Sequence, residues 1–238
     1  MTQPGLLIGL VDSGLAPELE SKAHSSRAFI LDESGELAAR PAEPDLVGHG
    51  SLVARIVLSH EPNALLVNAQ VFHARAAATA LAVAAALDWS ITQGARLIIL
   101  SLGLREDRAV LRQACARALD QGAVLLASSP ARGTPVYPSS YAGVIRITGD
   151  ARCAPDEISH LASAQADFGA CVRADARIAE SAPPPANAGA SLAAAHVCGH
   201  LARHFAQADG VTISTAAARA FLVAQARYHG PERRTKPS

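Results

Sequence analysis

Short, wholly apolar runs alternate with alanine-rich helical segments along this chain, and that alternation leaves few folds open. Leu6-Leu7-Ile8-Gly9-Leu10-Val11 has no polar side chain and stops at Asp12-Ser13-Gly14. A strand with one wet face would alternate; a continuous apolar run reads as a strand buried on both faces, as in parallel sheets. Ala64 to Phe72, Arg96 to Leu100, Ala123 to Ala127 and Val144 to Thr148 read as strands too. Between them lie helical patterns. Gly48-His49-Gly50 opens Ser51 to Ser59, where Leu52, Val53, Ile56 and Val57 share one face. Ala76 to Gln93 ends before Gly94, and Asp107 to Gln121 ends at Gly122, both glycine stops. Further helices are expected from Ser191 to about Phe205 and from about Ser214 to Arg227.

This order predicts an α/β fold, a doubly wound and mainly parallel sheet flanked by helices on both faces. In such sheets a site lies beyond the carboxyl ends of the strands. Asp12 and Ser101 directly follow strands and are expected to project there. Residues 15–46, rich in Pro, Ser and Glu, read as surface loops with a short irregular helix or strand. Residues 151–185 read as short β pieces around Leu161 and from Asp167 to Arg173, then the loop Ala182-Pro183-Pro184-Pro185. One domain is expected over residues 1–229, with a polar, basic and disordered tail over 230–238.

Composition narrows the function. Lys plus Arg and Asp plus Glu are both 21, so the formal net charge is zero. Nothing in that balance suggests binding to nucleic acid or to a membrane surface. No apolar stretch approaches the roughly 18 residues of a membrane span, so no insertion is expected. Met1-Thr2-Gln3-Pro4-Gly5 carries no basic n-region, and the apolar run that follows is short for a signal sequence. A cytoplasmic location with reduced cysteines is the expectation. Cys115, Cys153, Cys171 and Cys198 show no CxxC spacing and read as buried free thiols rather than a zinc site. His196, His200 and His204 form one helical stripe that is able to bind a metal. Without a nearby carboxylate motif that reading is set aside, His200 and His204 read as packing or surface residues, and no metal or cofactor is expected.

Gly189-Ala190 delivers Ser191 to the start of a long Ala, Leu and Val run. A serine there is an ordinary helix cap, or a nucleophile whose oxyanion benefits from the positive end of the helix dipole. Asp12 and His49 weigh the choice toward the second reading. Acyl transfer needs a hydroxyl, an imidazole to take its proton and a carboxylate to orient that imidazole. The chain order Asp, His, Ser is that of subtilisin, not of the α/β-hydrolases.

Several segments carry the resemblance. Val11-Asp12-Ser13-Gly14 resembles the aspartate motif of the subtilisin family, and Gly48-His49-Gly50-Ser51-Leu52-Val53-Ala54 its histidine motif. Gly189-Ala190-Ser191-Leu192-Ala193-Ala194-Ala195-His196-Val197 resembles its serine motif, with Ala190 where Thr is usual and Ala195 where Pro is usual. Ser101-Leu102-Gly103 resembles the substrate-pairing strand, and residues 137–149 the segment after the oxyanion loop. The resemblance implies a subtilisin-like three-layer fold and a serine endopeptidase. Ser191 would be nucleophile, His49 general base and Asp12 its orienter, with an extended peptide or protein substrate pairing at Ser101, Leu102 and Gly103. It also implies kinship with small maturation proteases that remove a leader from a modified polypeptide, whose partners would be a modified precursor and its processing enzymes.

One departure bears on rate. Where the family places an oxyanion-donating Asn, alignment puts Ala131, in Ser128-Ser129-Pro130-Ala131-Arg132-Gly133. The Ser191 N–H is expected to remain as one donor; Ser128, Ser129, Arg132 or a water replaces the other, or catalysis is slow. A pseudoprotease that binds a peptide without cutting it is the alternative reading.

Overall fold

In the computed structural model, which describes residues 6–32, 34–73, 78–174, 189–208 and 212–232, the apolar runs become the middle of one sheet. The strands are β1 (Leu7–Asp12), β2 (Ala23–Leu31), β3 (Leu37–Arg40), β4 (Leu65–Gln70), β5 (Leu97–Leu100), β6 (Val124–Ser128), β7 (Ile145–Gly149), β8 (Ile158–His160), β9 (Phe168–Ala170) and β10 (Ala226–His229). The helices are α1 (His49–His60), α2 (Ala80–Thr92), α3 (Ala109–Asp120), α4 (Gly189–Gln207) and α5 (Thr215–Gln225), with a 3-10 turn at Pro17–Lys22. The sheet order is β10-β8-β9-β7-β6-β5-β1-β4-β2-β3. Its central pairs are all parallel; β2 with β3 and β8 with β9 are antiparallel. This is the expected α/β architecture, a mainly parallel sheet between two helical layers.

Side-chain alternation sorts each central strand between those layers. Ile8 and Leu10 of β1, Leu97 and Ile99 of β5, and Val124 and Leu126 of β6 pack with α1 and α4. Val11, Ile98, Leu100, Leu125 and Ala127 pack with α2 and α3. Val11 stands beside Leu100, and Leu100 beside Ala127. One step further along each strand, that register places Asp12, Ser101 and Ser128 in a row at the carboxyl edge. Period 2 turns all three toward the α1 and α4 layer.

Two segments depart from the sequence reading. Residues 23–31, expected among loops, form a strand of nine residues parallel to β4. Only Ala28 and Phe29 of it are buried, so it lacks the apolar run that marks the central strands. Residues 226–229, of which Ala226 and Arg227 are expected to close the last helix, form β10, whose alternating half-exposure gives equally little apolar signal. The loop at 182–185 and the tail residues 233–238 lie outside the described residues. Gly230 donates its N–H to the His160 carbonyl at 2.9 Å. All four cysteines are buried and unpaired. Among the described residues, no helix is long and apolar enough to cross a membrane, and no cluster of His, Cys, Asp or Glu is placed to hold a metal.

The histidine stripe is instead part of the α1–α4 contact. His196 Nε2 donates to the Arg173 carbonyl at 2.9 Å, which leaves Nδ1 to accept from His60 Nε2–H at 2.9 Å. His60 also packs its ring on His200, centroids 4.4 Å apart, and His200 Nε2 donates to Pro155 O. His204 stacks on Phe221. Burial, then the neighbouring His200, His196 and Arg203, pushes the His60 pKa down to about 3; burial, chiefly, takes His200 to about 4. Gly199 is where the two helices touch: a Cβ there would lie 2.7 Å from His60 Cβ.

Gly199→Ala is therefore expected to destabilise the fold by about 1–3 kcal/mol in chemical denaturation, because α1 has no room to move off. The buried neutral histidines set an acid limb. Their folded pKa values lie below the ordinary 6.5, so their contribution is complete above that pH and is lost as pH falls toward 4. Denaturation across pH 4–7 is expected to show a shallower acid decline for His60→Leu than for the wild type.

Candidate active site

The histidine end of the site is built by short backbone contacts. Helix α1 begins after Gly48, whose φ of 79° suits glycine and whose missing side chain provides no cap. Asp45 fills that role. Its Oδ1 accepts from Val47 N at 3.0 Å and Gly48 N at 2.8 Å, and its Oδ2 from Ser51 N at 2.9 Å and Ser51 Oγ at 2.6 Å. The turn after β1 is fastened to the same helix start. Ser13 Oγ accepts from Gly50 N at 2.8 Å, and Ser51 Oγ from Ala16 N at 2.9 Å. A Cβ on Gly50 would lie 2.4 Å from the Gly14 carbonyl oxygen, so only glycine fits between His49 and Ser51.

Within that frame His49 Nδ1 lies 2.8 Å from Asp12 Oδ1 and 3.0 Å from Oδ2. Asp12 is fully buried and also accepts from Ser13 N at 2.7 Å. A carboxylate only accepts, so the imidazole proton sits on Nδ1 and Nε2 is left with a lone pair. Burial of the ring opposes protonation, but the charge and hydrogen bond of Asp12, helped by Asp45, outweigh it and hold the His49 pKa above 6.5. That is the tautomer and basicity a general base requires.

The serine end comes from α4. Ser191 lies in its first turn, is 8% exposed, and accepts a hydrogen bond at 3.4 Å from Ser128 Oγ at the end of β6. Among the described residues this is the hydrogen bond its hydroxyl makes, with none to His49. Asp12 and Ser128 are two strands apart in the same row, roughly 10 Å at the usual strand spacing. His49 extends from the first and Ser191 from the second, on one face of the sheet. The structure thus joins His49 to Asp12 and Ser191 to Ser128 along one edge of the sheet.

Of the remaining sequence candidates, Ser101, Leu102 and Gly103 follow β5 at that edge, and Ala131 and Arg132 lie on a separate cleft. Ser101 is buried, and its Oγ has no hydrogen-bond partner. Leu102 is buried and Gly103 exposed, its Cα face pressed on Val136. Leu104 pairs with Tyr137 through two backbone bonds, 2.7 and 2.8 Å. In the following loop, Ser129 donates its hydroxyl to Gln165 O and its N–H to Ile147 O, both at 2.7 Å. Ala131 and Arg132 are exposed on a cleft of about 830 Å³ that Thr148, Asp150 and Gln165 also line. Sequence reasoning missed Asp45 and Gln70. Gln70 Nε2 donates to Ser13 O at 2.8 Å and to Glu43 O at 3.1 Å, bracing the turn after Asp12. An acidic residue just ahead of a helix start is a readable signal for Asp45; Gln70 has none.

A parallel α/β sheet that gathers an aspartate, a histidine and a helix-borne serine at its carboxyl edge defines a narrow class of protein. The chain belongs to the subtilase family, which residues 3–236 match. It is 27% identical over 158 residues to an alkaline protease of Alkalihalobacillus alcalophilus, an alignment covering 62% of this chain and 40% of that protein. It thus spans well under two thirds of that relative's length. Its fold is similar to that of the S41 psychrophilic protease, with a TM-score of 0.66, 20% identity and coverage of 94% and 85% of the two chains. It is also similar to a lanthipeptide protease, with a TM-score of 0.65, 16% identity and coverage of 92% and 80%.

Asp45 is the side chain whose removal should loosen the site without touching Asp12, His49 or Ser191. Asp45→Ala is expected to lower stability by about 1–2 kcal/mol in urea titration, the usual effect of losing a helix cap.

Proposed function

We propose that this chain is a serine endopeptidase working through Asp12, His49 and Ser191. The two-oxygen contact of Asp12 with His49 Nδ1 is the observation that carries the reading, because it leaves Nε2 with a free lone pair to act as the base. Ser191 Oγ attacks the scissile carbonyl carbon, its proton passes to His49 Nε2, and the carbonyl electron pair moves onto oxygen. The positive end of α4 and the Ser191 N–H face that oxygen. Collapse expels the amine, which takes the proton back from His49, and leaves an acyl-enzyme that water hydrolyses by the same steps. The substrate lies extended along Ser101, Leu102 and Gly103 and pairs with their backbone.

The finer reading is a cytoplasmic maturation protease that removes a leader from a modified polypeptide. The sequence resembles the protease of quinohemoprotein amine dehydrogenase biogenesis, which trims the cross-linked small subunit, and the lanthipeptide protease among the structural neighbours fits the same kind of role. Its partners are then the modified precursor and the enzymes that modify it. Purified protein mixed with that precursor is expected to make one discrete cut, lost in Ser191→Ala; several cuts, or one that survives the substitution, would sink this reading.

A fluorophosphonate probe is expected to label the wild type and not Ser191→Ala, whereas a peptide-binding pseudoprotease would label in neither. Since His49 must be neutral to act, activity is expected to rise with pH through a value above 6.5. Asp12→Asn removes the charge that raises that value. It is expected to shift the limb to lower pH and to cut kcat by about 10³–10⁴-fold.

A further inference from the structure

We propose that Ser128 supplies the side-chain hydrogen bond to the developing oxyanion, in place of the asparagine that position 131 lacks. The inference rests on Ser191 being the nucleophile. It begins with the alternation along β6. Val124 and Leu126 face α1 and α4, so Ser128, the next residue of that set, points at the first turn of α4. There its Oγ meets Ser191 Oγ at 3.4 Å, in a pocket where Ser128 and Ser191 are each 8% exposed.

The other groups near the loop are placed for different work. The Ser129 hydroxyl and N–H are both engaged, by Gln165 and Ile147. Ala131 carries no donor, and Arg132 sits on the exposed cleft. Ser128 donates its proton to Ser191 Oγ, which leaves the Ser191 proton free to go to His49. When Ser191 Oγ bonds to the carbonyl carbon, it becomes a poorer acceptor, and the oxygen gaining charge is two bonds away. Rotation about the Ser128 Cβ–Oγ bond redirects the same O–H to that oxygen with no heavy atom moved. The oxyanion then has two donors, the Ser128 hydroxyl and the Ser191 N–H. In a water-poor setting each is worth more than it would be in solution.

Fluorescein-labelled casein and a fluorophosphonate serve as probes, since the phosphoryl oxygen occupies the place of the oxyanion while Ser191 Oγ displaces fluoride. Ser128→Ala is expected to lower both kcat on casein and the phosphonylation rate constant on the order of 10²-fold, with KM and the pH limb of His49 unchanged. Ser128→Thr, which keeps the hydroxyl, is expected to restore most of both. A structure of the phosphonylated wild type is expected to place the phosphoryl oxygen within about 3.2 Å of Ser128 Oγ. This measurement decides the matter should Ser128→Ala fail to fold. Rates for Ser128→Ala within about threefold of wild type, or a phosphoryl oxygen turned away from Ser128, overturn the inference. A wild type that never reacts with fluorophosphonate overturns the endopeptidase reading itself and this inference with it.

Discussion

The in-register parallel pairing of β1, β5 and β6 is the constraint on which the site depends. Val11, Leu100 and Ala127 stand side by side, and each is followed by a polar residue at the carboxyl edge. Three chain segments far apart in sequence are thereby lined up to within a residue. A slip of one residue in any pair would turn Asp12, Ser101 or Ser128 to the α2 and α3 side. The apolar pattern forbids the slip, because Ile8, Leu10, Leu97, Ile99, Val124 and Leu126 would have to turn with them. Core packing and site geometry are thus fixed by the same hydrogen-bond ladder.

On this row the two helices of one layer place the candidate reactive groups. Helix α1 carries His49 at its first position, and α4 carries Ser191 in its first turn. The two pack closely through Gly199 against His60, so their starts are held relative to each other by a contact at the far end of α1. The half-buried pairing of His60 with His196 belongs to that contact. It is a rigid support, neutral at physiological pH, behind a site whose own histidine has the opposite pKa shift. Burial lowers the one set; Asp12 raises the other.

Much of this architecture is legible in the amino-acid sequence. The central strands β1, β5 and β6 are short apolar runs, those of β4 and β7 are interrupted by Asn68 and Arg146, and buried strands cannot hide that signal. The motifs around Asp12, His49 and Ser191 are legible because glycines and small residues crowd them. Those residues are what close backbone approach demands. What stays illegible lacks a local signature. Strand β2 is half exposed and its first half is polar, and its pairing with β4 is a tertiary fact. The bracing by Gln70 joins a strand end to two loops and leaves no spacing to read. The contact of Ser128 with Ser191 spans 63 positions and follows only once the face of β6 is known.

The closeness of Gly50 to Gly14 has a consequence for how such a chain can vary. The aspartate turn and the histidine helix meet backbone to backbone, with no side chain between them to absorb a change. Drift at one of these positions has no compensating neighbour at the other, since both already carry the smallest residue. The two motifs, separate words in the sequence, are one unit in space. A side chain added at this joint has to move the backbone of one motif or the other, whereas the surrounding loops carry no such constraint at Gly35 or Gly133, where a Cβ meets nothing within 4 Å.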